Sequence, residues 1–166
     1  VSTVECYDPE RDEWQAVAPL RIERYGHGMV ALGGKLYVAG GNGGGAGALG
    51  SVECFDPARG TWEAVAPMRT ARCAFAAAAI SGKMHAIGGS GAGNAKLASV
   101  ECYDPARDEW SEGAPLPAPR HGSGFSNTRC FLFSAISPRR DRRRHRQLRR
   151  ISDERHSPAA AVAPAP

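Results

Sequence analysis

The chain has 166 residues, 42% of them apolar, with 21 Lys and Arg against 17 Asp and Glu for a formal charge of +4. No apolar run approaches the roughly 20 residues of a membrane-spanning helix, and five cysteines, an odd number without a C-x-x-C pair, argue against a zinc site and for a reducing, intracellular and so cytoplasmic setting. Residues 1–120 hold 11 Lys and Arg against 14 Asp and Glu, whereas residues 121–166 hold 10 against 3, so any nucleic-acid role is confined to the tail.

Taken in chain order, the first recognisable stretch is "VECYDPERDEW" from Val4, which returns as "VECFDPARGTW" from Val52 and "VECYDPARDEW" from Val100, 48 residues apart each time. Trp14, Trp62 and Trp110 keep that spacing, as do Ala18-Pro19, Ala66-Pro67 and Ala114-Pro115, and Arg24, Arg72 and Arg120. Pro inside a helix costs about 3 kcal/mol, and each unit carries Asp-Pro, Ala-Pro and several Gly, so helices are excluded. Residues 1–18 are read as the second half of one unit. Residues 19–66 form a complete unit of four short antiparallel strands. "GHGMVAL" and "KLYVAGG" flank the turn Gly33-Gly34, and "SVECFD" and "TWEAVA" flank Pro57-Ala58-Arg59-Gly60. Residues 67–114 repeat it, with "CAFAAAAISGKMHAIGG" in place of "YGHGMVALGGKLYVAGG". Residues 115–126 start a further unit, since "RHGSGF" mirrors "RYGHGM", but Ile136-Ser137 stand where the Gly-Gly doublet should fall. Residues 127–166 are basic, then Ala/Pro-rich, and are expected to be disordered. The Arg run reads either as a nuclear-localisation or nucleic-acid segment, or as a different exon or shifted frame replacing the next strands. The second reading is preferred because the tail interrupts a strand.

A four-stranded sheet of this size cannot cover its own faces, so successive units must stack, and radial stacking of such sheets is the β-propeller. Tyr7, Phe55 and Tyr103 on the third strands and Trp14, Trp62 and Trp110 on the fourth are expected to fill the space between sheets. The doublets Gly40-Gly41 and Gly88-Gly89 close the second strands. Glu5, Glu53 and Glu101 recur with Arg24, Arg72 and Arg120. They would either tie each third strand to the start of the next blade or form a solvated rim.

No catalytic constellation or cofactor site emerges. "GAGALG" from Gly45 fits a dinucleotide pattern but lacks the helix that must follow, and reads as an inter-strand loop. Cys6, Cys54 and Cys102 share one position in successive units and read as small apolar fillers. His27, His85 and His121 fall at unrelated places, and His85 replaces Tyr37, a packing position.

The Gly-Gly doublet, the aromatic about fourteen residues on and the Trp seven beyond it resemble the kelch repeat, with its period of about 50 residues. "VE-C-Y/F-DP" with "W-x-x-x-A-P-L/M" is especially similar to the propellers of kelch-like proteins, over roughly residues 1–126. The resemblance implies an all-β, partial kelch-type propeller of about two and a half four-stranded blades, where about four to eight are needed for closure: a fragment with a disordered basic tail. Kelch-like proteins carry BTB and BACK domains that engage a cullin-RING ubiquitin ligase, while the propeller selects the substrate. A non-enzymatic protein-interaction role of that kind is therefore expected, with an actin-binding cytoskeletal kelch protein as the alternative. A kelch-propeller oxidase is a distant third, since its copper ligands would have to come from several blades. Carried over position by position, the resemblance assigns partner contact to Asn42 and Ser90 after the doublets, and to Tyr25, Gly26, Cys73, Ala74 and His121 after the arginines. Open blades would also present unpaired edge strands, which predicts self-association.

Overall fold

A computed structural model describes residues 2–45 and 47–122; the expected tail of residues 127–166 and the end of the 115–126 segment lie outside the described residues. Twelve strands follow one another, and a single 3-10 turn at Ala92–Asn94 is the helical element among the described residues. β1 (Val4–Asp8) and β2 (Glu13–Val17) pair as a two-stranded sheet. The middle sheet has the order β3 (Gly28–Leu32), β4 (Lys35–Ala39), β7 (Val52–Asp56), β8 (Thr61–Val65). The third sheet repeats this with β9 (Ala76–Ile80), β10 (Lys83–Ile87), β11 (Val100–Asp104) and β12 (Glu109–Gly113). All pairings are antiparallel. The Gly-rich segment after Gly41 is more ordered than a plain loop, since β5 (Asn42–Gly43) and β6 (Gly47–Ala48) form a small ladder.

Alternation along each strand decides which residues face which neighbour. Leu36 and Val38 point to one side of the middle sheet and join Trp62, Phe55, Leu20, Val4 and Ala18 against the first sheet. Tyr37, Ala39, Val52 and Cys54 point to the other side and meet Met84, Ala86, Tyr103 and Trp110 of the third. The sheets thus stack as consecutive blades, and Trp62 and Trp110 each reach back to the preceding one. The indole N–H of Trp62 donates to the Ala18 carbonyl and that of Trp110 to the Ala66 carbonyl, both at 2.8 Å. Phe55–Trp62 and Tyr103–Trp110 pack with ring centroids 5.1 and 5.2 Å apart.

Tyr7 and Trp14 depart from the expected packing. They keep the internal aromatic pair, at 5.3 Å, but stand 42% and 68% exposed. Their counterparts Trp62 and Trp110 are 7% and 5% exposed because a neighbouring sheet lies over each. Cys54 fills the core as expected, Cys102 is half-buried and Cys6 is exposed.

Candidate partner-binding face

The middle and third sheets each begin with a lead-in segment anchored by a buried ion pair. Arg24 and Arg72 are fully buried, and Glu53 and Glu101 nearly so. Arg24 Nη2 donates to Glu53 Oε1 at 2.6 Å, and Nη1 to the carbonyls of Gly40 and Ser51 at 2.8 and 3.1 Å. Arg72 repeats this with Glu101 Oε1 at 2.5 Å and with Gly88 and Ser99 at 2.8 and 3.1 Å. The carboxylates are also held by backbone: Glu53 accepts from the N–H groups of Arg21 and Ile22, and Glu101 from those of Arg69 and Thr70. Such hydrogen bonds offset the cost of burying the charges, although Arg72 Nε has no partner among the described residues. The pairing corrects one expectation: each Glu ties its strand to the start of its own blade, and not of the next.

The ion pair fixes where the next residues emerge. Tyr25 and Asn42 exchange backbone hydrogen bonds at 3.0 and 2.8 Å, and Cys73 and Ser90 do so at 2.9 and 2.8 Å. Neighbouring blades are then stitched along the same end of the sheets: Ala74 N–H donates to the Gly26 carbonyl and Gly122 N–H to the Ala74 carbonyl, both at 2.8 Å. The doublet makes this close approach possible. Gly89 has φ +96°, and a Cβ there would lie 2.6 Å from Phe75 Cβ and 2.7 Å from the Cys73 carbonyl.

Tyr25, Gly26, Ala74 and His121 are exposed on this arc, and Asn42 is half-buried. Cys73 and Ser90 are buried, 6% and 8% exposed, with their backbones committed to each other. They shape the face from beneath. Tyr25, 62% exposed, is the large side chain it presents. Close by, His27 is half-buried and its Nδ1 has no hydrogen-bond partner among the described residues. Burial, and then the neighbouring Arg24 charge, hold its imidazole below the usual histidine range.

Between the blades, burial pushes the Tyr37 phenol up to about 12 and raises the Cys54 thiol. Burial and the hydrogen bond to Asp108 likewise raise Tyr103. These groups are neutral at ordinary pH and act as packing. A separate cleft of about 140 Å³ is lined by Arg69, Thr70, Ser99, Val100, Glu101 and Glu112, among others, but its carboxylate Glu101 is already saturated from within. Sequence reasoning missed Asp12 and Asp108, whose carboxylates accept the hydroxyls of Tyr7 and Tyr103 at 2.6 and 2.7 Å. The signal was there: "DEW" at Asp12 and Asp108 against "GTW" at Gly60.

Comparison with known proteins finds the Kelch motif at residues 1–21, 23–69 and 71–117. The chain is 52% identical over 42 residues to the mouse (Mus musculus) Influenza virus NS1A-binding protein homolog, covering 25% of this chain and 6% of that protein. It is 49% identical over 37 residues to human (Homo sapiens) Kelch-like protein 23, covering 22% and 7%. To zebrafish (Danio rerio) Kelch-like protein 26 it is 44% identical over 43 residues, covering 26% and 7%. The matched stretches are thus a small part of each relative's length.

Proposed function

This chain belongs to the kelch-repeat family, among the kelch-like proteins, and from that premise we propose that its Tyr25–Ala74 face holds a segment of a partner protein, as the substrate-recognition propeller of a cullin-RING ubiquitin ligase adaptor does. The observation that carries the reading is the exposed Tyr25 side chain on a rim whose backbone is immobilised by the buried Arg24–Glu53 pair. A large amphipathic ring held at little entropic cost is a good anchor for a peptide. Gly26 and Ala74 beside it offer backbone and small surface, so the peptide lies flat and Tyr25 supplies most of the contact.

The test compares proteins cross-linked to the full chain in cells with those cross-linked to Tyr25→Ala and to Arg59→Ala, a substitution at the β7–β8 turn. The reading expects partners retained by Arg59→Ala, lost by Tyr25→Ala without a change in melting temperature, and ubiquitinated in a cullin-dependent manner. Partners indifferent to Tyr25 would refute the face. Co-sedimentation with F-actin without cullin association would reassign the module to the cytoskeleton.

A further inference from the structure

Gly26, Ala74 and Gly122 occupy one position in successive repeats. All three adopt the left-handed backbone, with φ of 61°, 48° and 68°. They are joined in a row, since Ala74 N–H donates to the Gly26 carbonyl and Gly122 N–H to the Ala74 carbonyl. Glycine takes this conformation freely, whereas a β-carbon strains it. Asp12 and Asp108, also at positive φ, offset that strain by accepting a tyrosine hydroxyl. The Ala74 methyl has no polar group with which to do so.

The fold makes no use of a β-carbon at this position. One built at Gly26 would meet only the Ala74 nitrogen, at 3.6 Å, and one at Gly122 would meet nothing within 4 Å. Gly26, with the third sheet described after it, and Ala74, with the middle sheet described before it, are both exposed, so the exposure belongs to the position. The methyl is nevertheless held firmly. Phe75 behind it is 7% exposed, and its ring fills the spaces where Gly28 and Gly40 would carry a β-carbon. Strain that the fold does not require, on a rigid and exposed residue, marks a role outside the fold.

We propose that the Ala74 methyl is a specificity-determining contact of the partner-binding face, set against an apolar side chain of the bound segment. This rests on the reading of that face as a protein-binding site and adds the chemistry that the segment must carry. Both backbone groups of Ala74 are already engaged, so a polar side chain placed against it would lose water without gaining a hydrogen bond. An apolar one loses nothing. Gly26 and Gly122, without side chains, leave room for it on either flank.

The test selects phage-displayed random peptides on the full chain, then measures the affinity of the selected peptides for Ala74→Gly, Tyr25→Ala and Ser81→Gly. Ser81, in the β9–β10 turn, is the control, because it is also a non-glycine residue at positive φ, 51°. The selected peptides should share an apolar residue. Ala74→Gly should weaken their binding about fourfold, which at about 1.4 kcal/mol per decade is the roughly 0.8 kcal/mol of one buried carbon. Its melting temperature should be unchanged or raised, since the substitution relieves strain, and Ser81→Gly should leave binding as it is. Binding that is weakened by Tyr25→Ala but indifferent to Ala74→Gly would overturn this proposal and leave the face standing. A lowered melting temperature for Ala74→Gly, equal weakening by both glycine variants, or peptides with no shared apolar residue would overturn it as well. Failure to select any peptide, or binding indifferent to both Tyr25 and Ala74, would remove the face together with the proposal.

Discussion

Replacing Arg72 by Ala tests the anchor on which the candidate face depends. The guanidinium is fully buried and Glu101 is 2% exposed, so solvent cannot take over when the cation is removed. Three protein oxygens besides the carboxylate lose a donor: the carbonyls of Gly88 and Ser99, and Ser99 Oγ. Breaking one side of a buried pair costs about 3–5 kcal/mol, or two to three and a half decades in the folding equilibrium at about 1.4 kcal/mol per decade. The N–H groups of Arg69 and Thr70 still hold the carboxylate, which favours the lower end of that range. Arg59→Ala is the control: its pair with Glu63 is 66% and 56% exposed, and such pairs contribute about 0–1 kcal/mol. Urea unfolding of the full chain, followed by tryptophan fluorescence, in which the buried Trp62 and Trp110 respond to unfolding, measures both variants. If Arg72→Ala shifts the midpoint no more than Arg59→Ala does, the pair is not an anchor and the reasoning fails.

Two further substitutions probe other parts of the design. Gly89→Ala should destabilise by more than Gly33→Ala, because its Cβ collides with Phe75 and the Cys73 carbonyl while the space around Gly33 is open. The Gly33 change carries only the positive-φ cost of about 1–2 kcal/mol, and equal losses in thermal unfolding would contradict the close-approach role of the doublet. His27 falls at the position of Phe75, one repeat earlier. Its lowered pKa means that the unfolded chain binds the proton more readily, so stability is complete above the ordinary histidine pKa of about 6.5. It declines as the pH falls below that value toward the folded-state pKa. His27→Phe should flatten this part of the melting temperature against pH curve. A variant with the same slope as the parent would show that another group is responsible.

Much of the architecture could be read before any coordinates, because a two-residue alternation and a 48-residue period are both one-dimensional signals. Gly33-Gly34 and Pro57 to Gly60 mark turns by backbone chemistry alone, and the strands on either side pair as that chemistry requires. The pairing of charges was not legible. Glu53 has Arg24 on one side and Arg72 on the other at comparable separations, and only the path of the lead-in segment back across its own β7 selects Arg24. At the candidate face, sequence position marked Cys73 and Ser90 as rim residues, but their mutual backbone bridge draws both side chains inward. Tyr25 makes the same bridge to Asn42 and is 62% exposed. The exposure of Trp14 depends on a neighbour and not on Trp14 itself, so its own surroundings in the sequence could not reveal it.

The near-identity of β1, β7 and β11, a source of regularity in the finished molecule, makes them interchangeable while the chain is still folding. β4 pairs with β7 across residues 40–51, yet β11 offers almost the same side chains to that edge across residues 40–99. A loop roughly five times longer adds about 1.4 kcal/mol of closure entropy, a preference of only about tenfold for the proper partner. Most of the discrimination against exchanged strands must come from what differs between copies, such as Gly60 against Asp108, whose carboxylate can grip a preceding backbone where glycine cannot. Drift of the repeats toward perfect identity would therefore erode the fidelity of assembly while leaving every native contact intact.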